Sequence, residues 1–426
     1  MERTYVKDLK AGKKLLVKGW VEHVRDVGKI KFFLVRDKTG VIQAVSKDEK
    51  QFKTILGLGR EDCVAVHGMV KKSEAKAGIE IVPEEIRIIS KAEAPLPLDF
   101  GDKIQSGKEK RFEYRFLDVR NPKIQAIFRI RDILLTKIRE YLEGNGFVEV
   151  HTPVIQAAGA EGGATLFPLS YYNKQAFLRQ SPQLYKQILM ASGLDKVYEI
   201  GPAFRAEKFH TTRHVSEFLS LDFEMAWIDS MEDVLKNIEG MVEYTVKGVL
   251  KDCKEELNTL GVKDLKVPAI PFKRITYTEG VEILNKAGKQ FKWGEDMTDV
   301  EERVIGEQMT KRGHEWYFVT RFPSKAKPFY IMMDGKESHS YDLIFNGMEI
   351  ASGGQREHRH DLLVKVIKEK GLKPEDFKFY LDAFRYGIAP HGGMGFGVER
   401  MVQQMLKLDN IKEAILFPRT PDTLVP

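Results

Sequence analysis

Five short runs rich in Val, Ile and Phe, each closed by a turn, crowd into roughly the first 90 residues, and that spacing leaves few folds open. They are "KLLVKGWVEHVRDV" at 14–27, "IKFFLVRDKTGVIQAVS" at 30–46, "DCVAVHGMVKKS" at 62–73 and "GIEIVPEEIRIISKA" at 78–92. The second holds two runs, split at the Lys38-Thr39-Gly40 turn. β-branched and aromatic residues at this density favour strands. Short strands packed so closely hide their edges by closing on one another. Residues 1–92 are therefore expected to form a small barrel.

A barrel of the oligonucleotide-binding type offers an open face to single-stranded nucleic acid. Residues 1–50 hold 13 basic and 7 acidic side chains, a sum of +6, which is the net charge of the whole chain. The remaining 376 residues are therefore neutral in total. Charge alone fits either a polyanion partner for the first module or a solvated basic face.

The 426-residue chain has room for two or three domains. No apolar stretch is long enough to cross a membrane. The N-terminus lacks an apolar core followed by a small-residue cleavage site. Cys63 and Cys253 are far apart, against a disulfide framework or a Cys-ligated zinc site. These features give the expectation of a cytoplasmic protein with no membrane partner.

"KAEAPLPLDFGDKIQSGKEKR" carries Pro95, Pro97 and Gly101 with little periodicity, so 93–121 is expected to be a linker and hinge. A helix should start at Asn121-Pro122, follow Ile127, Ile130, Leu134, Ile138, Tyr141 and Leu142, and end at Gly144 and Gly146. "FVEVHTPVI" then reads as a strand stopped by Pro153. Beyond it, strand-like runs ("AFLRQ", "VYEIG", "FLSLDFEMA", "KPFYIMM", "YDLIFNGMEIAS") alternate with amphipathic helices near 182–192, 231–255, 360–370, 375–386 and 398–407. The expected body, 122–426, is α+β: a mostly antiparallel sheet with flanking helices.

Four segments of the body carry chemistry. "FRAEKFHTTRHVSEF" places Arg205, Glu207, Arg213, His214 and Phe218 on a hairpin with a long loop. An arginine fork suits a phosphate or carboxylate, and a ring suits a base. Taken alone, the segment is equally a solvated hairpin. "GGMGFGVERM" runs from small residues into a helix start bearing Glu399 and Arg400, where an anion is favoured. In "YDLIFNGMEIASGG", Asp342 and Glu349 flank an Asn346-Gly347 turn and should face one another on paired strands, with Ser352 as a third oxygen. Such oxygens suit Mg²⁺ held through substrate phosphates, or are surface acids beside a turn. The fourth segment, "GAEGGATLF...QAFLRQSPQLYKQ", contains Glu161, Gln183 and Lys186.

In this order the segments resemble the class II aminoacyl-tRNA synthetases, and within them the aspartyl family of the archaeal and eukaryotic type. The resemblance runs from about Val17 to Pro426. "GFVEVHTPVI" resembles the first class II motif, with Pro153 at a homodimer interface in the catalytic domain. "FRAEKFHTTRHVSEF" resembles the second, and "GGMGFGVERM" the third.

The resemblance implies ATP and L-aspartate as substrates, Mg²⁺ as the metal, and transfer to the 3′-end of tRNA(Asp). It implies that Arg205, Ala206, Glu207, Arg213, His214, Val215, Phe218, Glu349, Gly397, Val398, Glu399 and Arg400 bind ATP. Arg205 and Arg400 would be catalytic. Glu161, Gln183, Lys186, Arg205, Asp222, Ser352 and Arg356 would bind aspartate, and Glu349, Ser352 and Asp342 the metal. Arg25, Phe32, Gln43 and Lys76 would meet the anticodon. Two cations, Lys186 and Arg356, facing one carboxylate would favour aspartate over its amide. The alternatives are an asparaginyl enzyme and a family-derived asparagine synthetase. Positions Glu22 and Lys76 give opposite signals on tolerance for the tRNA(Asn) anticodon; the expectation is relaxed specificity.

Overall fold

The computed structural model describes residues 2–75, 77–98, 107–157, 166–208 and 211–426. The chain divides into two compact units, Met1–Asp99 and Phe100–Pro426.

In the first unit, β1 (Lys14–Val27), β2 (Ile30–Asp37), β3 (Gly40–Ser46), β4 (Cys63–Lys72) and β5 (Ile79–Ser90) close in the order β1-β2-β3-β5-β4. All pairs are antiparallel except β3 with β5, whose parallel pairing closes the barrel. Strand alternation turns Val17, Val21, Phe33, Val35, Ile42, Ala44, Val64 and Val66 inward to a buried core. One helix escaped the sequence reading. α1 (Glu49–Leu56) starts where the Asp48 carboxylate accepts from the Lys50 amide, and it caps the core with Ile55.

The second unit is the expected α+β body. Its long helix α2 (Pro122–Gly144) begins at Asn121, whose side chain accepts from the Lys123 amide at 2.9 Å. It ends as expected, with Gly146 at φ +80. The strands in chain order are β6 (Val148–Glu149), β7 (Lys196–Phe204), β8 (Glu217–Ala226), β9 (Lys273–Thr276), β10 (Trp316–Thr320), β11 (Ser340–Phe345), β12 (Met348–Gln355) and β13 (His391–Gly397). They form one sheet in the order β9-β10-β11-β12-β13-β8-β7-β6. Only the two outermost pairs are parallel. One face packs Phe223, Leu221, Met394 and Phe396 against α2 and α3 (Met231–Asp252) in the main core.

Several expectations need correction. The small-residue run 392–397, to which no strand was assigned, is most of the central strand β13. "KPFYIMM" is no strand of the main sheet, and its Phe329, Tyr330 and Ile331 fill a separate core under the helices of 360–385. "FVEVHTPVI" contributes only two residues to the main sheet. Short helices, Lys108–Glu113 and Arg115–Asp118, lie where a linker was expected. Arg115 is fully buried there, donating to the carbonyls of Glu413 and Ile415.

Candidate active site

β7 and β8 pair without interruption from Lys196↔Met225 to Phe204↔Glu217, so residues 205–216 form the loop of a long hairpin. The hairpin borders a cleft of about 370 Å³ on the exposed face of the sheet. Arg205, Glu207, Arg213, His214, Val215 and Phe218 line it from the hairpin. Gly397, Glu399 and Arg400 line it from the start of a helix (Val398–Leu406), Glu349 and Ser352 from β12, and Gln183, Asp222 and Arg356 from its floor. The Arg205 guanidinium lies 5.5 Å from the centre of the Phe218 ring. Ala206 and Val398 are not in the lining; Val398 is buried in the main core. Glu399 accepts from Arg131 at 2.8 Å and from the Leu219 amide, which fixes helix to sheet. Glu161 and Lys76 lie outside the described residues.

At one end the cations are held by protein acids. Arg213 pairs with Glu302 at 2.6 Å and Asp299 at 3.1 Å, both on helix Asp299–Lys311, which the sequence reading missed. Arg400 donates to the Glu349 carbonyl at 3.1 Å, and its other end lies 3.5 Å from His214 Nε2. Burial and the positive charge of Arg400 lower the His214 pKa. The neutral ring therefore accepts from Arg400 and donates Nδ1–H to Thr211 Oγ1 at 2.7 Å.

The acid pair depends on a bulge. β11 and β12 join through Asn346-Gly347, both at positive φ (48° and 76°) as the tight hairpin turn requires. Asp342 lies opposite Ser352 rather than Glu349, and the register slips between Leu343 and Ile344, where Glu349 pairs with Ile344. In a regular strand Glu349 and Ser352, three apart, point to opposite faces. The extra residue of the bulge restores them to one face, beside Asp342. Burial and the neighbouring Glu349 push the Asp342 pKa up, against Lys327 at 3.4 Å. Burial also pushes Glu349 upward, but Arg400, Lys327, Arg205 and Arg213 together hold it below its ordinary value. Three hard oxygen donors, two of them neighbouring carboxylates, fit a divalent cation.

At the floor, glycines and acids align across strands: Gly395 faces Asp222 and Gly393 faces Glu224. Lys186 donates to Asp222 at 2.8 Å and to the Met394 carbonyl at 2.7 Å, and lies 3.6 Å from Glu224. Arg356 grips Glu224 twice, Nε to Oε1 at 2.8 Å and Nη2 to Oε2 at 3.1 Å. Arg356 Nη2 also donates to the Gly393 carbonyl and to Gln183 Oε1. Burial favours a neutral Glu224, yet Arg356 and Lys186 hold its pKa below the ordinary value. The expected picture of two cations facing one substrate carboxylate is thus incomplete, because two protein carboxylates already answer them. Lys186 has three acceptors within reach for its three protons. Arg356 keeps one nitrogen, Nη1, without a partner among the described residues.

The reading overlooked Lys327, Tyr330 and Glu302, which line the cleft or its neighbour, and Glu224, which holds Arg356. Glu224 had a signal: Asp222 and Glu224 stand two apart in "LDFE", hence on one face of a strand. In the barrel, Arg25↔Phe32 and Leu34↔Gln43 are cross-strand partners, so Arg25, Phe32 and Gln43 share the outer face of β1–β3. Arg25 is exposed and Phe32 half-buried, while the inner face takes Phe33.

Residues 107–421 match the family of class II tRNA synthetases (D, K and N), and residues 15–89 match an OB-fold nucleic acid binding domain. The aspartate–tRNA(Asp) ligase of Pyrococcus abyssi is 49% identical over 97% of each chain. The aspartate–tRNA(Asp/Asn) ligase of Archaeoglobus fulgidus is 46% identical over the full length of both. Among solved structures, asparaginyl-tRNA synthetase from Pyrococcus horikoshii complexed with asparaginyl-adenylate superposes with a TM-score of 0.94 at 39% identity, covering both chains completely. Aspartyl tRNA synthetase from Entamoeba histolytica gives a TM-score of 0.87 at 30% identity, covering 100% of this chain and 93% of that one.

Proposed function

The chain belongs to the class II tRNA synthetases of the D, K and N group, and from that premise we propose that its cleft joins aspartate to tRNA(Asp) at the expense of ATP. The observation that carries aspartate over asparagine is the direction of the hydrogen bonds at the floor. Both oxygens of Glu224 are taken by Arg356, with Lys186 beside them, and the one guanidinium nitrogen left over, Arg356 Nη1, is a donor. A carboxylate accepts from that donor. An amide NH₂ turned toward Arg356 Nη1 would set donor against donor.

In the first step an oxygen of the substrate α-carboxylate attacks the ATP α-phosphorus and pyrophosphate leaves. The nucleophile is already ionised, so catalysis is positioning and charge neutralisation. Arg205 meets the α-phosphate while Phe218 and Arg400 enclose the adenine, Glu207 accepting from its amine. Arg213 and His214 take the γ-phosphate end, which requires Arg213 to exchange its acids for phosphate and His214 to give up its Thr211 or Arg400 contact and donate instead. Asp342, Glu349 and Ser352 would hold Mg²⁺, which supplies neutralising charge for the phosphates when bound. Lys186, held by Asp222, sets the pocket floor with Gln183 and Arg356, and Glu161 would join them in binding aspartate. In the second step the terminal 3′-hydroxyl of tRNA attacks the acyl carbon of the adenylate and AMP leaves, a phosphate oxygen taking the proton.

Arg25, Phe32, Gln43 and Lys76 would read the anticodon, Phe32 by stacking. Exposed Val148 and Ile155, on either side of Pro153, support a homodimer through the body. The two free cysteines, and the absence of any membrane-length apolar helix among the described residues, support a cytoplasmic setting. A second reading, that tRNA(Asn) is charged as well, draws support from the relatives named for both tRNAs. Aspartylation of the two transcripts tests both: charging of tRNA(Asp) alone removes the second reading. Release of free asparagine from aspartate and ammonia, with neither transcript charged, overturns the first.

A further inference from the structure

Behind the floor of the cleft runs a chain of buried side chains that begins at the main chain and ends on Arg356. His391 Nδ1 lies 2.8 Å from the Ala389 carbonyl, an atom that only accepts, so the proton of the ring is on Nδ1. Burial holds this imidazole neutral, its pKa pushed down to about 4. His391 Nε2 is then an acceptor, and Gln187 Nε2 donates to it at 3.2 Å. That turns Gln187 Oε1 toward Gln183, whose Nε2 donates to it at 2.8 Å. The remaining end of Gln183, Oε1, lies 3.4 Å from Arg356 Nη2 and shares with the Gly393 carbonyl, at 3.0 Å, the one Nη2 proton that Glu224 does not take.

The direction of every link follows from the first. Reversing the Gln183 amide would set its NH₂ against Arg356 Nη2, two donors face to face. Gln187 opposes that reversal by presenting oxygen, and His391 fixes Gln187. Gln187 and His391 are both 0% exposed and Gln183 is 5% exposed, so water cannot replace a lost partner cheaply. Gln183 and Gln187 stand four apart on one helix face (Gln183–Leu189), which brings their amides together. Neither Gln187 nor His391 lines the cleft.

We propose that Gln187 and His391 are positioning residues for amino-acid selection: through Gln183 they hold Arg356 so that its free nitrogen, a donor, meets the side-chain carboxylate of the substrate. The proposal rests on the aspartate reading above. It concerns how the pocket is aimed, not whether it binds ATP.

The test is ATP–pyrophosphate exchange in the full-length protein at varied aspartate and varied ATP. Gln187→Met and His391→Phe keep size and break the relay. Each is expected to raise KM for aspartate on the order of tenfold, the worth of one buried hydrogen bond to a charged partner. In both, kcat and KM for ATP stay within about twofold of wild type. His391→Gln returns an acceptor near the Nε2 position and is expected to recover most of the loss. In a cycle with Gln183→Met, the double variant Gln183→Met/Gln187→Met should be no worse than Gln183→Met alone. Additive losses would overturn the proposal. So would an unchanged KM for aspartate in Gln187→Met, or equal damage to the ATP and aspartate parameters without recovery in His391→Gln. If His391→Phe fails to fold, the Gln183 and Gln187 cycle decides. If the wild-type protein shows no aspartate-dependent exchange, the aspartate reading itself falls, a result separable from any relay variant.

Discussion

Arg356 and Glu224 meet in a two-pronged, fully buried ion pair, Nε to Oε1 at 2.8 Å and Nη2 to Oε2 at 3.1 Å. Glu224 thereby aims the guanidinium and cancels its charge before any substrate arrives. Glu224→Gln keeps the shape but leaves a buried cation without its partner. Losing one member of such a pair costs about 3–5 kcal/mol. The urea midpoint should fall, and KM for aspartate should rise far more than KM for ATP.

Glu302 gives a pH signature. Burial and nearby Glu349 push its pKa from an ordinary 4.5 to about 7, against the pull of Arg213. A carboxyl raised on folding binds its proton more tightly in the native state. Its contribution to stability is full below pH 4.5 and is lost as pH rises through 7. The displacement corresponds to roughly 3 kcal/mol at 1.36 kcal/mol per pKa step. Unfolding measured in EDTA between pH 4.5 and 7.5 should show stability falling with pH, and Glu302→Gln should flatten that slope.

The oxygen cluster at the bulge predicts a separable metal effect. Asp342→Asn removes a negative charge beside Ser352 and Glu349 and leaves a weaker oxygen donor. The Mg²⁺ concentration giving half-maximal exchange should rise on the order of tenfold, the scale of one weakened ligand. KM for aspartate should stay near its wild-type value. An unchanged Mg²⁺ requirement would remove Asp342 from the metal set.

Phe32 tests the barrel alone. Base stacking on an aromatic is worth about 1–3 kcal/mol. Phe32→Ala should raise KM for tRNA(Asp) by roughly five- to 150-fold while leaving pyrophosphate exchange untouched. A Phe serving only as barrel packing would instead lower the melting temperature and leave KM for tRNA unchanged.

What the sequence made legible was local. The strand runs, the Asn121-Pro122 helix start and the hairpin bearing Arg205 and Phe218 are set by neighbours a few residues apart, and periodicity reports them. What it hid was long-range. Gln187 meets His391 across 204 positions and Arg356 meets Glu224 across 132, contacts that only the sheet order creates. The bulge that aligns Glu349 with Ser352 breaks the alternation by which strands are read. The helices 277–286 and 299–311 were missed although both start with capping boxes, at Thr276 and Thr298. Counting cations without their buried partners misjudged the pocket. Lys186 and Arg356 are conspicuous in the sequence, but Glu224 looked like one more residue of an apolar strand.

The central claim is that the floor of the cleft selects a carboxylate by presenting the Arg356 Nη1 donor to it. The most direct measurement is kcat/KM for aspartate and for asparagine in ATP–pyrophosphate exchange with the same wild-type preparation. The account predicts aspartate ahead by about 10³-fold or more, as expected where the wrong substrate leaves buried polar groups unpaired. Comparable values for the two, or a preference for asparagine, would contradict it.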